Sequence, residues 1–478
     1  MTQKYVIGID GGTQSSKVSI FDLNGVLVCC GVQKLRQIER LSSGAVIHPD
    51  DDVWDSIASA CTQAMENFPY DPRDILGLGL CTIRCCRVLL NQDGELTTPV
   101  ISWMDPRLSL PYQHLDQRVA YVTTTSGYIG HRLCGEFKDT AANYEGAWPI
   151  DKKTWQWSDD QDVIDEYNVP REMLFELLSP GEKIGVVTAD ASRSTGLPEG
   201  LAVFATANDK AVEALGAGLG QESSVLISLG TYIGGMAYGD FDQHGTSAYF
   251  HNMACIPQRY LHESGGVRQG MGTISWFREL LGDSFPYQLD GDSVTAEQCL
   301  NNEAEGIAIG CDGLLTLPEW LAPNDQQFKR GAMIGFNSTH TRGHLYRSIL
   351  ESIAMTMKNH IDAMCAESGL APEQILVSGG GANSDVLMRI FADVFALPAL
   401  NNQITGAAGL GAAICAAVGG GAYADFDEAI DNMVAFNKSF SPDPKRVIRY
   451  LELNHIFKQV SSQTDVINRR LNEAGFQL

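Results

Sequence analysis

The chain has 478 residues, with 34 basic and 58 acidic side chains and a formal net charge of −24. That length exceeds one compact core; at roughly 150 residues per domain, two or three domains are expected. With 44% apolar and 19% charged residues the chain folds rather than staying disordered, and a pI near 4.7 argues against nucleic-acid and anionic-membrane partners.

The first strand is expected over residues 5–10, followed by a turn at Gly11-Gly12-Thr13-Gln14 and an alternating strand over 17–23. Asn24-Gly25 predicts a hairpin into a third strand starting at Val26. Asp51 and Asp52 open an amphipathic helix that gathers Val53, Trp54, Ile57, Cys61, Ala64 and Met65 on one face. Residues 75–80 read as a strand, and Asp93-Gly94 as a hairpin turn leading to 100–103. The order returns in the second half: strand 224–229, turn Gly230-Thr231, strand 232–238, a long helix from about His344, strand 375–377, a glycine turn and a helix over 385–395. This weak duplication predicts two like-folded lobes with a cleft between them, joined by the small, flexible stretch 210–220. Residues after about 442 read as a charged helical tail.

Neither a signal-peptide core nor a run of roughly 18 apolar residues occurs, so a cytoplasmic location is expected. The twelve cysteines include two vicinal pairs, Cys29-Cys30 and Cys85-Cys86, but no C-x-x-C spacing. That pattern fits free thiols in a reducing compartment rather than a zinc or thioredoxin-type site.

Three glycine turns carry most of the chemical signal. In Asp10-Gly11-Gly12-Thr13-Gln14-Ser15-Ser16-Lys17, the glycines let a phosphate approach backbone N–H groups. Asp10 could hold Mg²⁺ through water, and Lys17 adds charge. The alternative is an ordinary hairpin with Asp in a turn role. Gly230-Thr231 is a weak motif alone and gains value from its equivalent place in the second half. Gly379-Gly380-Gly381-Ala382-Asn383-Ser384 suits a flat ligand against backbone, or merely close helix–strand packing. It is not a Walker A sequence. Asp209, at the start of an expected helix, could accept a proton from a hydroxyl during phosphoryl transfer, or Asn208 and Asp209 could simply cap that helix.

In combination these residues resemble the FGGY carbohydrate kinases over nearly the whole chain. Asp10-Gly11-Gly12-Thr13 and Ser228-Leu229-Gly230-Thr231 are similar to the family's phosphate loops, and Ser378–Ser384 to its adenosine loop. Gly335-Phe336 with His344–Glu351 is similar to its C-terminal signature, and Gly409-Leu410-Gly411-Ala412-Ala413 to the small-residue helix that follows. The resemblance implies an α/β fold of two actin-like (ribonuclease H-like) lobes: 1–215 with the sugar site and first phosphate loop, 216–441 with the nucleotide site, and a tail over 442–478. It implies Asp209 as catalytic base, Asp10 and Asp209 beside Mg²⁺, and Gly11, Gly12, Thr13, Gln14, Lys17, Gly230 and Thr231 about the phosphates of ATP. Gly380, Gly381 and Ser384 then fall near the adenosine.

Arg84 stands where some members grip substrate, with Cys85 in place of an acid that often follows. Trp103-Met104-Asp105-Pro106-Arg107 resembles a W-x-D-x-R stretch lining the sugar pocket. Trp103 and Asp105 are candidates for sugar contacts, a structural Trp and an Asp–Arg surface pair being the competing reading. Lys210 is unusual beside Asp209; it should lower that carboxylate's pKa or bind an anionic substrate. The segment after Arg107 is shorter than in most members, so the sugar pocket should be more open or closed by another element.

The expectation is an ATP- and Mg²⁺-dependent kinase acting on a sugar or polyol hydroxyl, as a homodimer if it follows the commonest assembly. An actin-like ATP switch and a degenerate sugar sensor are the alternatives.

Overall fold

The structure is a computed structural model that describes residues 3–144, 146, 148–220, 223–240, 246–282, 288–289, 292–323, 326–402 and 406–476. Two sheets organise it. The first holds β1 (Tyr5–Gly11), β2 (Ser15–Asp22), β3 (Leu27–Lys34), β4 (Ile75–Thr82), β5 (Lys183–Val186) and β6 (Ala202–Phe204), in the order β5-β6-β4-β1-β2-β3. The second holds β7 (Ser224–Leu229), β8 (Ile233–Gly239), β9 (Tyr249–Met253), β10 (Tyr260–Ser264), β11 (Gln374–Ser378), β12 (Ala399–Asn402) and β13 (Phe436–Phe440), in the order β9-β10-β8-β7-β11-β12-β13.

The duplication expected from the sequence is explicit in the pairing senses. In the first sheet β4 runs parallel to both β1 and β6, while β1–β2, β2–β3 and β5–β6 are antiparallel. The second sheet repeats this: β11 is parallel to β7 and β12, and β7–β8, β8–β10 and β12–β13 are antiparallel, with β9 added at the edge. Strands buried on both faces read as continuous apolar runs, as β1 and β7 do.

The helices used below are α1 (Asp52–Glu66), α2 (Asp209–Gly216), α3 (Gly270–Leu281), α4 (Arg342–Ser368), α5 (Asp385–Phe395), α6 (Ala407–Gly419) and α7 (Pro444–Glu473). The tail expected after 442 is α7, anchored by Tyr450, whose hydroxyl donates to Glu351 on α4 (3.0 Å), and by Arg446 on Asp393 of α5 (2.6 Å).

One expectation is corrected. Most of the stretch expected as a small, flexible joint, 210–220, is the helix expected to open at Asp209, α2 (Asp209–Gly216), packed against α6. Its small residues serve close approach, since a Cβ on Gly216 would stand 1.9 Å from the Ala407 carbonyl oxygen and one on Gly411 1.9 Å from that of Val212. Helix α6 also lies on the first sheet, where a Cβ on Gly8 would meet the Gly409 oxygen at 1.8 Å. Buried Val212, Leu215, Leu410 and Ile414 thereby join both halves in one core. The hairpin at Asp93-Gly94 forms as expected, with Gly94 at φ +79°: Leu90 bridges Leu96 and, past Pro99, Ile101 bridges Arg87, while strand Val88–Leu90 also pairs with Tyr121–Thr123.

Candidate active site

Asn208 ends the approach from β6 and caps α2; its side-chain oxygen accepts from the N–H groups of Lys210 and Ala211, both at 3.1 Å. Asp209 therefore stands in the first turn of α2, where the helix N-terminus favours a negative charge. Its side chain keeps 39% of its surface open, and Arg84 Nε lies 3.5 Å from its Oδ1. Burial among the surrounding elements raises the Asp209 pKa; Arg84 and Lys210 pull it down, Glu263 and Glu213 push it up again, and the net direction is upward. Lys210 thus lowers its neighbour as expected, but burial outweighs it.

Lys210 itself is engaged. Its Nζ donates to Glu213 Oε2 at 2.8 Å and to the Ser228 hydroxyl at 3.1 Å. Glu213 Oε1 accepts from the hydroxyls of Ser228 and Ser378, each at 2.6 Å. These serines are direct partners on β7 and β11; Ser378 immediately precedes Gly379, and Ser228 stands two residues before Gly230. One partly buried carboxylate on α2 thereby pins the roots of the Gly230-Thr231 and Gly379–Gly381 turns. Burial pushes Glu213 up, but Lys210 and the two hydroxyls outweigh it and hold its pKa below the ordinary value.

Asp10 lies at the end of β1, opposite Lys17 on β2. Burial, then the negative charge of Asp209 and Glu213, pushes Asp10 up to about 6, with Lys17 and the Cys81 thiol pulling it back. The turn beyond it closes with Gly12 N–H on the Ser15 carbonyl at 3.1 Å, and Thr13 and Gln14 are exposed. A Cβ on Gly11 would press Ile57 and Thr82 at 3.3 Å. In the second half, the carbonyls of Gly230 and Thr231 accept from Met271 and Gly270 at the start of α3.

Gly379 takes φ +89° with its α-carbon packed on the Leu229 backbone; Gly381 is buried, and Gly380 is exposed with open space where a Cβ would be. Ser384 caps α5 and donates to Asn301 at 2.7 Å. The charge interactions thus bring Asp10, Asp209, Lys210 and Glu213 together, with Ser228 three residues before Thr231.

For the residues expected to meet a sugar the findings divide. Arg84 faces Asp209, and Trp103, 49% exposed, hydrogen-bonds the Cys86 thiol through its backbone. Asp105 follows the structural alternative. Its Oδ1 accepts from Arg107 N and Nε, and its Oδ2 from Arg107 Nη2 and Val46 N, in a side chain with no exposed surface. Burial would raise Asp105, but Arg107 and the Val46 N–H hold it at about 2. A carboxylate four times engaged organises the loop that presents Trp103.

Sequence reasoning missed Glu213, Asn252 and Glu263. Glu263 on β10 accepts both terminal nitrogens of Arg84, at 2.9 and 3.2 Å, and Asn252 Nδ2 at 2.5 Å. The acid absent at Cys85 is thus met in space by a residue 179 positions after Arg84. Nothing local marks it: Tyr260–Ser264 reads only as a buried strand.

Residues 5–120 match the model of the FGGY family of carbohydrate kinases, N-terminal domain, and 227–420 that of its C-terminal domain. The chain is 47% identical over 474 residues to the uncharacterized sugar kinase YgcE of Escherichia coli, covering 99% of this chain and 96% of that protein. Among solved structures, the xylulose kinase of Rhodospirillum rubrum superposes with a TM-score of 0.81 at 24% identity, over 98% of this chain and 100% of that one. The gluconate kinase of Lactobacillus acidophilus does so with 0.83 at 20% identity, over 98% and 100%. The chain belongs to the FGGY family of carbohydrate kinases, enzymes that phosphorylate their acceptors from ATP.

Proposed function

We propose that this chain transfers the γ-phosphoryl group of ATP to a hydroxyl of a sugar or polyol, with Asp209 as the base. The supporting observation is a part-open carboxylate at a helix N-terminus, between two sheets whose turns carry the phosphate-loop motifs, with Arg84 at 3.5 Å. Asp209 accepts the acceptor's hydroxyl proton as its oxygen bonds to the γ-phosphorus and the bond from phosphorus to the departing ADP oxygen breaks. The turns Gly11–Gln14 and Gly230-Thr231, with Lys17, cradle the phosphates through backbone donors and charge. Gly380, Gly381 and Ser384 line the adenosine end, and Trp103 offers its face to sugar C–H groups. The lobes are 1–215 and 216–441, and α6 crosses between them.

A divalent cation fits the donor set. Asp10, raised by burial and by Asp209 and Glu213, marks negative charge that a cation would relieve. Among the described residues no cluster of three metal-ligating side chains occurs, which suits Mg²⁺ held by Asp10 and Asp209 with water and phosphate oxygens. Held there, Mg²⁺ would supply positive charge against the charge developing on the phosphates. Among the described residues no helix is long and apolar enough to cross a membrane, and all twelve cysteines are free; we place the protein in the cytoplasm, as a homodimer testable by light scattering.

The deciding experiment is Asp209→Asn, assayed by ADP release against sugars and polyols and by ATP-analogue binding. Binding is expected to stay near wild type while turnover drops by about 10²–10⁴-fold. Wild-type turnover in the purified variant would remove Asp209 from its role, and acceptor-independent ATP hydrolysis would favour a nucleotide switch.

A further inference from the structure

Arg84 leaves the end of β4 in the first half, yet its guanidinium is held from the second. Nη1 and Nη2 donate to Oε1 and Oε2 of Glu263, a fork-to-fork pair, while Nε points to Asp209. Asn252 fixes the Glu263 carboxylate from β9, and the pair is asymmetric in access: 8% of the Glu263 side chain is exposed against 35% of Arg84. The other cation beside Asp209 has the same arrangement, Lys210 being matched by Glu213. The charges facing Asp209 are thus Arg84, Lys210, Glu263 and Glu213, two of each sign, so each cation there is already matched by a carboxylate.

An unmatched arginine beside the acceptor would grip a carboxylate or phosphate through its two parallel N–H groups. Here Glu263 already occupies that fork. A neutral polyol suits the arrangement better, because each hydroxyl can donate to a carboxylate oxygen and accept from the guanidinium. An acidic acceptor brought to that fork would meet the Glu263 carboxylate already seated on it, like charge against like charge. The fold does not decide the matter, since xylulose and gluconate kinases share it.

Resting on the kinase reading above, we infer that Glu263 sets the acceptor class: by closing the Arg84 fork from the opposite half, it admits neutral sugars and polyols and rejects acceptors that carry a carboxylate or phosphate.

The test measures kcat/KM for a panel of neutral sugars and polyols, each beside its aldonate and its phosphate ester, with Mg·ATP, for wild type and Glu263→Gln. Wild type is expected to favour the neutral member by tenfold or more, and Glu263→Gln to narrow that ratio at least tenfold by freeing the fork. Should the Gln variant fail to fold, Glu263→Asp, which withdraws the carboxylate by one methylene, is expected to move the ratio at least threefold in the same direction. An unchanged ratio in a folded variant overturns the assignment. Wild-type preference for an aldonate or a phosphorylated sugar overturns it too, yet leaves the kinase reading standing. ADP release that no acceptor stimulates overturns both.

Discussion

Asn208 and Asn252 meet amide to amide, Nδ2 of the first donating to Oδ1 of the second at 3.0 Å. Asn208 caps the helix that carries Asp209, and Asn252 holds Glu263, which holds Arg84. One hydrogen-bonded chain therefore runs from the helix that carries Asp209, through the second sheet, to the arginine facing Asp209. Asn208 also donates to the Ala142 carbonyl at 3.0 Å, so it is fully used.

Asn208→Ala is expected to lose the cap, about 1 kcal/mol, and to leave the Asn252 and Ala142 oxygens without their donor, for a total of about 2–3 kcal/mol. Asn208→Ser restores a cap but cannot span to Asn252. It should recover about 1 kcal/mol of stability while kcat stays well below wild type. Urea denaturation beside steady-state kinetics separates the two effects; equal recovery of both would show the link to Asn252 to be inert.

Removing Lys210 strands a partly buried carboxylate, Glu213. Lys210→Met is expected to destabilise by about 3–5 kcal/mol, while Glu213→Gln, which keeps acceptors for Ser228 and Ser378, costs less. The Glu213 pKa is depressed on folding, so its ionised form contributes stability above its unfolded pKa, and that contribution disappears as pH falls through the lower folded value. The gap between wild type and Glu213→Gln in thermal melts should accordingly close in acid, below the ordinary glutamate range.

Asp10 has the opposite sign. Its pKa rises on folding to about 6, so the group favours folding below the unfolded value and this is lost as pH climbs past about 6. At neutral pH the ionised carboxylate costs on the order of 3 kcal/mol. Asp10→Asn should therefore be more stable than wild type at pH 7–8 and no more stable near pH 4, while phosphoryl transfer falls at least a hundredfold. Mg²⁺ with an ATP analogue should raise the melting temperature of wild type far more than that of the variant.

The glycines divide by what surrounds them. Gly8→Ala would drive its Cβ into the Gly409 carbonyl, so the protein is expected not to accumulate in folded form. Gly380→Ala has open space and ordinary φ. Its stability should stay within about 0.5 kcal/mol of wild type, while KM for ATP rises several-fold from the added methyl at the proposed adenosine loop. Loss of stability without a change in KM would mark Gly380 as a packing residue only.

Periodicity and turn chemistry act over a few residues, and whatever depends on them was legible in the sequence. The strands about Gly11–Gln14 and Gly230-Thr231, the helix opening at Asp385 after the glycine turn, and the tail helix all formed where their apolar spacing and capping residues put them. The repeated order of those elements carried the two-sheet architecture as well. Partnership across the chain leaves no such trace. That α2 packs against α6, that Asp105 is consumed by Arg107 and Val46, and that Glu263 matches Arg84 depend on which segments the fold brings together. A carboxylate's neighbours set its charge, and for Glu263 those neighbours lie on other strands and in the other half of the chain.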